Sequence, residues 1–364
     1  MLQKKKLSDY SRSCIVTYAI VIAAFIIISV LKAMGMLSSL LSGLLVPVCA
    51  YIVAAIALNL TVGIMGELSL GHAGFMSVGC FSGVLAAQSL ADVIPFAPVR
   101  LAVAMIIGAL LAGVIGIVIG VPALRLKGDY LAIVTLAFGE IIKNLMQCVY
   151  VGKDVNGLHF GMKDQAALGM DAATGKMLIN GPMGTVNVTK IATFTSGFVL
   201  ILITLFLVFN FMNSRTGRAV MALRDNRIAA ESVGIHSTKV KLIAFLFSAM
   251  LAGAAGALYG LNYSSIGPVK FDYNTSILIL VFVVLGGIGN MRGSIIAAAI
   301  LTILPEMLRE FSDYRMLAYA ILLIVMMLAN NSKFKKNFME KRNLKQLERK
   351  EAAARKEATE HGNA

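Results

Sequence analysis

The sequence predicts an all-α polytopic membrane protein with about ten transmembrane helices, eight to ten being the plausible range. Three observations predict it. Of the 364 residues 58% are hydrophobic and only 14% charged, against about 25% charged in soluble domains, and the mean hydropathy is +0.81. The apolar residues fall into runs near the roughly 20 residues needed to cross a bilayer. Lysine and arginine are distributed unevenly between those runs. The net charge of +14 would suggest nucleic-acid affinity in a soluble protein. Here it lies in the connecting segments, where it fixes orientation instead, so no nucleic acid is implied.

The runs fall at about 14–31, 40–64, 73–91, 99–122, 129–150, 194–213, 240–262, 273–288, 294–311 and 315–330. The start, MLQKKKLSDYSRS before the first run, has the charge of a signal peptide. The run is too long for one and no small-residue cleavage site follows, so an uncleaved first span is expected. With both termini cytoplasmic, the inner segments hold 23 Lys/Arg and the outer ones nine, the bias that orients multi-pass proteins. Trp is absent, which leaves Tyr and the basic flanks to anchor the spans. Cys14, Cys49, Cys80 and Cys148 show no CxxC spacing and imply neither disulfide nor metal site.

Residues 1–332 thus read as a transmembrane domain with an outer loop at 151–193, and 333–364 as a basic cytoplasmic tail near lipid head groups. GMDAATGKM at 169–177 imitates a phosphate-binding loop, but Met177 replaces the Ser/Thr and no strand is expected before it. Gly108, Ala112, Gly116 and Gly120 put small residues on one face of a span, as do Gly256 and Gly260, which allows close helix packing.

The segment 214–241 carries six basic residues against Asp225 and Glu231 and is expected to be cytoplasmic. Asp225 and Asn226 are N-cap types, Arg227 and Glu231 stand at i,i+4, and Gly234 before Ile235 is a helix stop. A short helix over about 226–233 follows, exposing Ala229, Ala230 and Val233. It is a docking element or, with equal economy, a solvated connector.

Inside the spans, Glu140 lies near mid-membrane with Lys143 at i+3, a pair that serves a substrate path or holds helices together. Two glycine-broken stretches, Gly63–Gly74 and Gly286–Gly293, match the interrupted segments of transporters or are tight turns. Asn59, Glu67, His72, Gly74, Gly286, Gly287, Gly289 and Asn290 join Glu140 and Lys143 as pathway candidates. His72, His159, His236 and His361 are scattered, and no hydrolase or zinc motif is present, so catalysis has no candidate residues.

Four blocks then resemble one family: LNLTVGIMGELSLGHAGFMSVG (58–79), LRLKGDYLAIVTLAFGEIIKNL (124–145), SRTGRAVMALRDNRIAAESVGI (214–235) and VVLGGIGNMRGSIIAAAIL (283–301). They resemble the LivM-like permeases of branched-chain amino acid ABC importers. The resemblance implies a bacterial inner-membrane permease that pairs with a second, homologous permease, two cytoplasmic ATPases and an extracytoplasmic substrate-binding protein. ATP and magnesium would sit on the ATPases, with no cofactor or metal on this chain. It makes the short helix a coupling helix, with Arg218, Arg224, Asp225, Asn226, Arg227, Ala229, Ala230, Glu231, Val233 and Gly234 as its docking residues. The pattern Ala229-Ala230-Glu231…Gly234 departs in order from the usual importer signature. The implied cargo is leucine, isoleucine or valine. Urea or another small amide or amino acid is the alternative within the family, and an ion-coupled secondary transporter the alternative outside it.

Overall fold

A computed structural model of the chain describes residues 9–307, except 37, 127, 155–156 and 163–174, together with 320, 321 and 324. The chain separates into two units between Ile303 and Leu304, and the packing relations below lie within the first. Apart from residues 320, 321 and 324, the expected span at 315–330 lies outside the described residues, as does the tail.

The helices are α1 (Asp9–Ala33), α2 (Ser39–Asn59), α3 (His72–Ser89), α4 (Ala97–Ala123), α5 (Asp129–Gln147), α6 (Phe194–Asn213), α7 (Arg215–Asp225), α8 (Arg227–Ser232), α9 (Ser237–Gly260), α10 (Tyr273–Gly286) and α11 (Met291–Met307). Helix α2 runs on into a π-helical turn, Leu60–Met65. Among the described residues, five helical stretches are long and apolar enough to cross a membrane: Cys14–Ala33, Ser39–Met65, Ala97–Ala123, Phe194–Asn213 and Ser237–Gly260. Helix α10 is apolar but shorter. The chain is an all-α polytopic membrane protein in its spanning part.

Helix α9 is the hub and packs on α2, α3 and α4. In lipid, hydrophobicity does not drive helices together, so close backbone approach must. Gly79 of α3 lies on the Gly253 backbone, and Gly256 lies on that of Met76. A Cβ at Gly108 would sit 2.8 Å from the Gly79 carbonyl oxygen, and one at Gly116 2.9 Å from the Ala249 Cβ. The small-residue stripe of α4 is therefore the seam of this three-helix core, as its spacing predicts.

The 151–193 region corrects an expectation, because it contains a sheet. Strands β1 (Tyr150–Asp154), β2 (Gly157–Gly161) and β3 (Lys176–Asn180) pair antiparallel in the order β2-β1-β3. Each strand is five residues long and carries glycine or charge, so none presents the sustained apolar–polar alternation that marks a strand in sequence. Thr185 accepts and donates backbone hydrogen bonds with Ile266, which ties the sheet end to the α9–α10 connection. Helix α6 then leads the chain away from the sheet to α7 and α8 at the opposite end.

The basic segment also holds more helix than expected, since residues 215–225 form α7. Ser214 caps it by accepting from the Gly217 N–H at 3.0 Å, and Gly217, Val220 and Leu223 are its buried face.

Candidate functional site

Two places gather the pathway candidates, and α7–α8 borders one of them. At the α7–α8 end, the two glycine-broken stretches meet. A Cβ on Gly63 would lie 2.6 Å from the Gly289 Cα, so glycine at 63 is what lets the stretches touch. Asn59, fully buried, closes the junction from inside. Its Oδ1 accepts from the Gly289 N–H at 2.9 Å and its Nδ2 donates to Ser294 Oγ at 3.0 Å. Gly287 and Gly289 adopt φ of +93° and +81°, open to glycine at little strain. Gly286 and Gly293 touch backbone to backbone, and Asn290 Oδ1 accepts from the Gly293 N–H. Charged groups surround this joint. Arg224 Nη1 donates to the Gly63 carbonyl at 2.9 Å, and Lys241 forms an ion pair with Glu67, their side chains 10% and 16% exposed.

After Gly66 the chain is non-helical to Gly71, and α3 begins part-way along α5. Leu70 N–H donates to Thr135 Oγ1 at 3.0 Å, and Gly74 abuts Gly139. Helix α10 also starts beside α5, where Tyr273 N–H donates to Glu140 Oε1 at 2.9 Å. Glu140 lies seven residues before the end of α5, so α10 stops roughly 10 Å short of that end at 1.5 Å rise per residue. The two helix starts touch, Ala73 N–H donating to Ser276 Oγ at 3.2 Å. Helix N-termini at this depth attract anions, but here the chain's own groups satisfy them. Glu140 receives Tyr273, Asp272 receives Thr275, and Lys143 forms an ion pair with the other oxygen of Glu140.

His72 differs from a pathway residue: it is buried. Ser248 donates to the Ala57 carbonyl, so its oxygen accepts from His72 Nε2 at 2.8 Å. Nδ1 shares a hydrogen bond with the Ser69 hydroxyl at 3.3 Å. This chain of bonds makes Nε2–H a donor and stitches α2, α3 and α9 together. Asn59 is a structural tie for the same reason, its amide being consumed within the protein.

The short helix forms at Arg227–Ser232 with Asn226 Oδ1 accepting from the Ala229 N–H at 3.1 Å. Gly234 takes φ of +87°. Its N–H donates to Glu231 and that of Ile235 to Ala230, the paired bonds of a Schellman stop. Arg227 and Glu231 pair at 2.8 Å. One expectation is corrected: Ala230 is 5% exposed, because a helix this short has one inward position and Ala230 takes it. The outward surface is Ala229, Val233 (76% exposed) and Ile228 (83%). Ile228 was not singled out from the sequence, although its neighbour Ala229 was. A large apolar residue between Arg and Ala in a capped helix is the signal that could have found it. Arg218 donates to the Asn213 carbonyl at 2.7 Å, so both Arg218 and Arg224 are engaged within the chain, whereas Asp225 flanks Arg224.

Comparison with known proteins settles the family. Residues 40–330 match the family described as branched-chain amino acid transport system / permease component. The chain belongs to this family. The permease LivM of Salmonella typhimurium is 32% identical over 290 residues, covering 76% of this chain and 66% of LivM. The ribose import permease RbsC of Haemophilus influenzae is 26% identical over 289 residues, 77% and 81% of the two chains. The permease LivH of Escherichia coli is 30% identical over 117 residues, 31% and 38%. The match thus spans just under two thirds of LivM. No solved structure matches the chain. The family and the apolar helices together make it a multi-pass inner-membrane protein.

Proposed function

We propose that this chain is the permease subunit of an ATP-driven importer that moves leucine, isoleucine or valine inward. The family match over 40–330 carries the reading. A homologous permease, two ABC ATPases and an extracytoplasmic binding protein complete the transporter, and ATP with magnesium belongs to the ATPases. The α7–α8 end faces the cytoplasm with both termini, and the sheet end faces outward. Helix α8 offers the ATPases a compact apolar surface, Ile228, Ala229 and Val233, rimmed by the Arg227–Glu231 pair. Such a rim sets register more than affinity. The energy of hydrolysis enters through that contact, and rigid helices rock to switch access.

Vesicles carrying the full complex test this with radiolabelled leucine. Uptake that needs ATP and the binding protein supports it; uptake driven by an ion gradient without ATP would make the chain a secondary transporter. In the same complex, Ile228→Asp should release the ATPases while leaving the thermal midpoint of the permease unchanged. In a Cys148→Ser background, Met183→Cys should label with an impermeant thiol reagent from outside and Ile228→Cys only after permeabilisation.

A further inference from the structure

We infer that Arg224 is the positioning residue that carries displacement of α7 and α8 into the break in α2, an inference that rests on the docking role proposed for α8. Four observations support it. The last carbonyls of a helix lack intrahelical partners, and Gly63 belongs to the final turn of the π-helical segment. Arg224 gives its carbonyl a charged donor at 2.9 Å, favourable at a helix C-terminus. The guanidinium is aimed by Asp225, whose Oδ1 accepts from Nε at 3.0 Å and Nη2 at 2.9 Å, leaving Nη1 for Gly63. Asp225 ends α7 and adjoins the cap of α8, so rotation of the helix pair moves this fork directly. Gly66, at φ of +76°, is moulded to the same side chain: a Cβ there would stand 2.6 Å from Arg224 Cγ. Beyond Gly63 lies Gly289, held by Asn59. One contact therefore reaches both broken stretches.

The consequence is a separation of docking from coupling. Ile228 and Val233 hold the ATPases, and Arg224 passes on their movement. Arg224→Gln and Arg224→Lys permeases, each assembled with all partner subunits in proteoliposomes, should keep the ATPases at wild-type stoichiometry with wild-type basal ATP hydrolysis. Leucine taken up per ATP hydrolysed should fall about tenfold, the loss that matches one charge-assisted hydrogen bond. Lysine should not rescue, because a point charge cannot hold Asp225 and Gly63 together. Unchanged uptake per ATP overturns the inference, and so does loss of the ATPases, which would make Arg224 a docking residue. A second measurement uses the purified permease alone. Asn226→Ala, which removes the cap of α8, should speed hydrogen exchange at residues 60–71 when Arg224 is present and have no further effect in Arg224→Gln. An equal response with and without Arg224 overturns the inference. If the wild-type complex moves no leucine, the functional reading falls while the exchange measurement still decides Arg224.

Discussion

The two ends of the helical bundle are built from the same ingredients, glycine turns and ion pairs, and use them differently. At the α7–α8 end helices break. The freed backbone is met by side chains from elsewhere, Asn59 on Gly289 and Arg224 on Gly63, and the Lys241–Glu67 pair is mostly buried beneath them. At the sheet end the backbone of the strands satisfies itself. The ion pair there, Lys153 with Asp92 at 2.5 Å, leaves Asp92 open to solvent. An unsatisfied polar group away from water is expensive, so the α7–α8 end depends on buried side chains, whereas the Lys153 bond to the Ser89 carbonyl at the sheet end is only part-buried.

Substitutions can break or sharpen that contrast. The largest effect is expected of Gly63→Val, which drives a branched side chain into the Gly289 backbone; membrane-inserted protein should nearly vanish, as judged by detergent-extracted yield. Lys241→Met leaves Glu67 charged without its partner. Removing one member of a buried pair costs about 3–5 kcal/mol, and residual exposure places this one toward the lower figure. The double variant with Glu67→Gln should regain much of the loss in a thermal-melt cycle; no recovery would mean that the pair is not coupled.

Asn59→Leu keeps the volume and strands the Gly289 N–H, a loss of about 1–3 kcal/mol, seen as a lowered melting temperature. Asp92→Asn at the sheet end should change the melting temperature least of all. The hydrogen bond and charge of Lys153 hold the Asp92 carboxyl below its ordinary 3.8. Its small contribution is therefore present above that value and fades as pH falls through the depressed folded one. A melt at pH 7 in which Asp92→Asn rivals Asn59→Leu would erase the difference between the ends.

The long apolar helices, the small-residue stripe of α4, and the cap and stop of α8 were legible because each depends on residues a few positions apart. Asn226, Gly234 and the Arg227–Glu231 pair act within one or two turns, and the sequence places them as the structure does. The Glu140–Lys143 pair was equally local. Its second partner, the Tyr273 N–H, was not, being 133 residues away. The sheet escaped notice because strand identity lay in pairing rather than in pattern.

By itself, then, the sequence determined a multi-pass helical membrane protein with several long apolar helices, the family and the short capped helix, since hydropathy, capping and glycine conformation are properties of neighbouring residues. Only the tertiary structure decided that Ala230 faces inward and Ile228 outward, that His72 and Asn59 are consumed as internal ties, and that the glycine-broken stretches meet under Arg224. Those outcomes rest on which groups the fold packs or hydrogen-bonds together, and contacts such as Arg224 with Gly63 or His72 with Ser248, more than 150 positions apart, leave no periodic trace along the chain.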